Sequence, residues 1–200
     1  MLLPWLYPSA AVPKTGTLFF ARCMWTALVC GLFAMAAQAQ GLQAIERLDV
    51  PRYMGVWYEI AKFPNRFQRQ CVSDTRAEYR VQSPGRLRVL NSCRLATGQF
   101  EEALGEARQV GAPDSPKLQV RFAPAWLSWL PAVWGDYWVI DLEGDYQLVA
   151  VSEPRREYLW VLSRQPQVDA LRYARLLERL KHQGLAIDRL EMTPQRTHPQ

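Results

Sequence analysis

Two hundred residues, 49% of them hydrophobic, are enough for one domain with its own core and argue against a disordered chain. The formal net charge of +5 is mild and the basic residues are dispersed, so nucleic acid is not expected as a partner.

The chain opens on a stretch unlike the rest. Residues 1–39 hold Lys14 and Arg22 and no acid, and the apolar run MWTALVCGLFAMAAQA ends in Ala37-Gln38-Ala39, a small-x-small cleavage pattern. This predicts a secretory signal peptide over 1–39, its apolar part shorter than the roughly 20 residues of a membrane span. Residues 40–200 then form a single domain, carrying 22 Lys and Arg against 19 Asp and Glu, a net of +3. Cys23 and Cys30 fall in the leader. A lipid anchor at Cys30 is disfavoured, because the bulky Val29 precedes it and the apolar run continues beyond it. Cys71 and Cys93 remain, an even pair in an oxidising compartment, which predicts a disulfide.

Short alternating segments follow. Tyr53 to Lys62 reads as a first strand, with Gly55 two residues before Trp57. Thr75 to Val81, Leu87 to Asn91, Phe100 to Gln109 (weakened by Gly105) and Leu118 to Phe122 continue the pattern. Tyr137 to Leu142, Tyr146 to Ser152 and Glu157 to Ser163 complete eight strands, joined by short turn-forming stretches such as SPGR and EGD. Local connections imply an antiparallel meander, and eight strands can close into an up-and-down barrel just wide enough for one small ligand. From Gln167 to Gln183, Tyr173, Leu176, Leu177 and Leu180 repeat at helical spacing opposite Arg172, Arg175, Arg179 and Lys181, and Gly184 stops the run. The expectation is one helix outside the barrel, then a short ninth strand within 186–192.

Three places carry a family resemblance. GVWYE at 55–59, the turn in DLEGDYQLVAV at 141–151 with Asp145 and Tyr146, and the Arg164 that closes YLWVLSRQP at 158–166 resemble the ordered signatures of the lipocalins. The likeness covers about 48–195 and is strongest to the bacterial branch related to outer-membrane lipocalins and apolipoprotein D. It implies an all-β eight-stranded barrel with Gly55, Trp57, Asp145, Tyr146 and Arg164 forming a structural floor. There Trp57 is expected to stack under Arg164, and Gly55 to let the chain pass close beneath. It also implies export to the periplasm, with outer-membrane association as a further option, and a fatty acid or lysophospholipid as cargo.

Strand parity from Trp57 and Arg164 then lists inward side chains: Glu59, Ala61, Ala77, Tyr79, Val89, Asn91, Val120, Phe122, Tyr137, Val139, Tyr158 and Trp160. Each is read either as ligand contact or as plain core. Glu59 in particular needs a polar partner inside, protein or ligand. Connections at 63–73, 94–98, 123–135 and 153–156 belong at the mouth. The third carries Trp126, Trp129 and Trp134, read as a lid or membrane-touching lip, or else as rings that cap the interior.

The functional expectation is a lipid carrier or store, monomeric or weakly dimeric, with transient membrane contact. The alternative is an interaction module working through the Trp-rich loop. No enzyme, cofactor or metal is expected: His182 and His198 are the two histidines, on the helix and in the tail, so no base serves a serine inside the barrel. Haem on an interior Tyr or Cys is a weaker third reading.

Overall fold

The computed structural model describes residues 41–196. The leader, its cleavage site, Cys30 and His198 lie outside those residues.

A short helix α1 (Val50–Tyr53) precedes nine strands: β1 (Gly55–Lys62), β2 (Cys71–Ser83), β3 (Arg86–Leu95), β4 (Phe100–Gln109), β5 (Lys117–Arg121), β6 (Gly135–Leu142), β7 (Leu148–Ser152), β8 (Leu159–Ser163) and β9 (Glu191–Met192). Helix α2 (Ala170–His182) stands between β8 and β9. Each strand pairs antiparallel with the next from β2 to β8, β8 pairs with β1, and β1 with β2, so eight strands close into a barrel and β9 adds to β1.

Alternation along the strands separates two apolar layers. Inside lie Trp57, Ala77, Tyr79, Leu87, Val89, Ala107, Leu118, Val139, Val149, Val151 and Leu162, with Leu48 and Tyr53 plugging the floor from the entering chain. Outside, Ile60, Ala61, Phe63, Ile140, Leu148, Ala150, Leu159 and Val161 receive Leu176 and Leu180 of α2. Those two leucines are fully buried, each contributing about 1.5–3 kcal/mol. Arg179 clamps the helix to Asp141 through two bonds of 2.7 and 2.9 Å. Asp169 caps α2 by accepting from the Arg172 N–H, and Gly184 takes the positive φ that ends it.

Several predicted boundaries shift. Tyr53 belongs to α1, whose Asp49 cap and Pro51 start a helical turn before β1. Tyr146 sits at φ +60 in the β6–β7 turn rather than starting β7. The ninth strand shortens to two residues because 187–189 form a 3₁₀ turn.

Candidate functional site

The closed end is made by the signature residues. Arg164 lies 3.9 Å over the Trp57 ring and donates to the carbonyls of Val56 and Arg52 at 2.9 and 2.7 Å. The Trp57 indole N–H donates to the Tyr53 carbonyl at 2.8 Å. Gly55 has φ +95, and a Cβ there would come within 3.3 Å of the Arg164 guanidinium, so glycine suits both the backbone and the stack. Tyr146 accepts from the Asp49 N–H while Arg52 covers its ring at 4.1 Å, and Asp145 pairs with Arg172 of α2 at 2.7 Å.

Above this floor the wall is less completely packed. Val120, Tyr137, Trp160 and Asn91 face inward yet keep partial exposure, and Phe122 is 43% exposed. In a barrel whose ladders are closed, an inward side chain near the mouth meets solvent from within, so these residues mark the part of the interior that opens at the mouth. The lower half is filled by Trp57, Tyr53, Tyr79 and Leu87. Phe122 lies against Gly105 of β4, where a Cβ would meet its ring at 2.7 Å and the Arg121 carbonyl at 2.8 Å. The glycine in β4 therefore makes room for an aromatic ring. Two surface concavities, of about 130 Å³ beside Glu78, Arg80, Arg88 and Leu90 and about 220 Å³ beside Gln147, Gln165 and Arg172, lie outside the barrel and belong to its polar exterior.

Most of the inward list is where parity puts it: Glu59, Ala77, Tyr79, Val89, Asn91, Val120, Phe122, Tyr137, Val139 and Trp160 face the interior, with Tyr158 stacked on Trp160 at 5.8 Å at the rim. Ala61 is the exception. A bulge between Glu59 and Ala61 reverses parity, so Ala61 pairs with Val161 and packs in the outer layer under α2. The same bulge turns Lys62 to the side of Trp160, where its ammonium sits 3.6 Å from Glu191.

Glu59 is 2% exposed, and both its oxygens have partners. One accepts from Gln68 of the β1–β2 loop at 2.6 Å, the other from the Thr193 hydroxyl at 2.5 Å. Burial raises its pKa against those two bonds and the charge of Lys62. Gln68 also accepts from the Trp160 indole at 3.0 Å and from Asn65 at 2.8 Å.

Thr193 belongs to a strap. β1 and β2 pair directly over 55–58 against 76–79, and beyond that residues 191–196 fill the seam. Thr193 N–H donates to Ile60 O, Asp74 N–H to Pro194 O, and the Gln195 amide to the carbonyls of Glu59 and Thr75. Nothing local in the sequence announces Gln68, Thr193 or Gln195 as partners of Glu59; they are 9 to 136 residues away along the chain.

Cys71 and Cys93 form a disulfide with Cα atoms 5.5 Å apart, brought together by two bulges in the β2–β3 ladder. The Trp-rich loop does not cap the interior. Trp134 folds onto the outer wall, 4.1 Å under Arg108 and 5.2 Å under Arg121, so it is no part of a lid. The next strand explains this: Gly135 pairs with the inward Val120, which puts position 134 on the outer face. Trp126 and Trp129 stand in solvent at 73% and 74% exposure.

A lipocalin-like family model matches residues 48–195. The chain is a lipocalin. This lipocalin is 40% identical over 160 residues to temperature-induced lipocalin-1 of Arabidopsis thaliana, a match covering 79% of this chain and 85% of the relative. It is 35% identical to the outer membrane lipoprotein Blc of Escherichia coli K12, over 64% of this chain and 69% of the relative. Mouse apolipoprotein D is 28% identical over 88% of this chain and 96% of its own. Among solved structures, insecticyanin from the tobacco hornworm Manduca sexta superposes with a TM-score of 0.59 at 18% identity, covering 76% and 83% of the two chains, a likeness of fold. Lipocalins bind small hydrophobic ligands.

Proposed function

We propose that this lipocalin carries or stores one fatty acid or lysophospholipid in the upper half of its barrel and exchanges it at a membrane surface. The observation behind this reading is a closed wall whose inward apolar and aromatic side chains remain reachable from the mouth. Beside that mouth, Trp126 and Trp129 hold two large rings in water, which suits a surface that is apolar on one side and wet on the other. Phe67 on the β1–β2 loop, 55% exposed, adds to the same rim.

The protein acts as a binder without a cofactor, not as an enzyme: His182 lies on the outer helix and Cys71 is consumed in the disulfide. Export to the periplasm, and work beside the outer membrane, follow from the leader and from likeness to outer membrane lipoproteins. The rim Trp residues also favour a second reading, a protein-interaction or self-association surface. Sedimentation at rising concentration separates that from a monomeric carrier.

The test is transfer of a fluorescent fatty acid from phosphatidylglycerol-containing vesicles to the protein. Uptake is expected, and Trp126→Ser/Trp129→Ser is expected to slow it about tenfold while leaving the final loading unchanged. No uptake at all discards the carrier; equal rates discard the lip.

A further inference from the structure

The barrel interior ends, on its floor side, in an imbalance of hydrogen-bonding groups. Tyr53 of α1, Tyr79 of β2 and Tyr137 of β6 bring three hydroxyls together, with that of Tyr137 2.7 Å from Tyr53 and 2.9 Å from Tyr79. Each phenol owns one proton to donate. Three protons serve two bonds whichever way the chain runs, so one O–H is left over, and no other partner of these hydroxyls occurs among the described residues. Tyr53 and Tyr79 are 1% and 5% exposed, so a proton left on either is cut off from bulk water, and Tyr137 is partly buried. A leftover acceptor faces the same interior. The Asn91 Oδ1 is buried with no hydrogen-bond partner. On β3 it stands two residues from Val89, which pairs with Tyr79, so Asn91 and Tyr79 are diagonal neighbours on the inner face. Around them the wall carries the small Ala77 and Ala103, while Gly105 is covered by the Phe122 ring.

We propose that Tyr53, Tyr79, Tyr137 and Asn91 form a head-group subsite deep in the barrel that takes the uncharged polar end of an amphiphile, a protonated carboxylic acid or a primary alcohol, with its chain toward the mouth. This rests on the reading that the barrel holds a lipid, and it assigns the orientation and charge of the cargo. A carboxylic acid or an alcohol offers one donor and one acceptor, the complement of the O–H and the Oδ1 left unpaired. An anion finds no cation there. Arg164 lies behind the Trp57 ring and donates to two backbone carbonyls, and Lys62 is at the rim beside Glu191. Burial pushes the Tyr79 hydroxyl up to about 12 and those of Tyr53 and Tyr137 well above the ordinary value, the mark of surroundings that resist negative charge. A phosphate head has no place at this pole.

Two measurements test it. In the first, tetradecanoic acid labelled with carbon-13 at its carboxyl is bound to the wild-type protein and followed by NMR. The bound resonance is expected to stay at the protonated position at neutral pH; titration near the ordinary carboxyl value of about 4.3 would overturn the proposal. In the second, affinities for tetradecanol and tetradecane, both delivered from cyclodextrin, are compared. The alcohol-to-alkane preference is expected to fall about 5- to 30-fold in Tyr137→Phe and in Asn91→Ala. An unchanged preference, or a wild type that binds alkane and alcohol alike, removes the subsite and leaves the carrier standing. A wild type that binds none of the three removes both.

Discussion

The two ends of this barrel are held by different physics. At the floor, an indole is stacked, buried and hydrogen-bonded at once, Arg164 donates to two carbonyls, and Tyr146 and Arg52 close the entering chain against the β6–β7 turn. At the mouth, β1 and β2 part, their ladders carry bulges, and a strap tied to Glu59 and Asp74 fills the seam while Trp126 and Trp129 face water. The floor resists opening because doing so exposes packed apolar area. The mouth is held by a few polar contacts and one covalent link, which can yield without disturbing the core. An element that must admit a ligand belongs to the less stable part of a fold, and here that part is spatially separate.

The sharpest way to break this contrast is at its stiff end. Trp57→Ala removes a fully buried ring from the floor and is expected to lower stability by about 3–5 kcal/mol, read from urea midpoints. A loss below about 1 kcal/mol would mean the floor is not where the fold is anchored. Pairing it with Arg164→Met in a double-mutant cycle should return a coupling of about 0.5–2 kcal/mol for the stack.

The floor was also the legible end. Gly55, Trp57, Asp145, Tyr146 and Arg164 sit in short motifs whose spacing carries their geometry, and period-two alternation places most inward residues. The mouth was legible only in part. Parity arguments assume an unbroken ladder, so the bulge after Glu59 sent Ala61 outward and Lys62 toward the interior. Trp134 looked like its two neighbours in composition, but its position one residue before β6 puts it on the outer wall under Arg108. Glu59 was recognisable as a buried charge that needs a partner. Gln68 and Thr193 were not recognisable as those partners, because contacts between a loop and a strap leave no periodic trace.

A smaller effect should come from the covalent link at the mouth. The Cys71–Cys93 bridge spans 22 residues, and opening it as Cys71→Ser/Cys93→Ser is expected to cost about 3 kcal/mol in the loop-entropy account. The distribution of the loss matters more than its size. Hydrogen exchange should speed in 71–75 and 191–196 and stay slow in 55–58, where β1 pairs directly with β2. Acceleration spread evenly around the barrel would deny that the ends are independent.

The smallest effect is a matter of pH, and it tests the strap itself. Glu59 and Asp74 both hold residues 191–196, but they titrate in opposite senses. For Asp74, burial would raise the carboxyl, yet bonds from Arg94, the Arg196 N–H and Ser73, with the charge of Arg94, outweigh it and hold the pKa below its ordinary 3.8. Its contribution is therefore present above 3.8 and lost as pH falls through the lowered value. For Glu59, burial outweighs Gln68, Thr193 and Lys62 and raises the pKa above its ordinary 4.5. The native state then binds more protons than the unfolded one, so this contribution is full below 4.5 and declines as pH rises through the raised value. Glu59→Gln should flatten the fall in stability from about pH 4.5 toward neutral while sparing the acid limb, and Asp74→Asn should do the reverse. Thermal midpoints across that range decide it: if Glu59→Gln keeps the wild-type slope, the strap is not held by a buried carboxyl that prefers its proton.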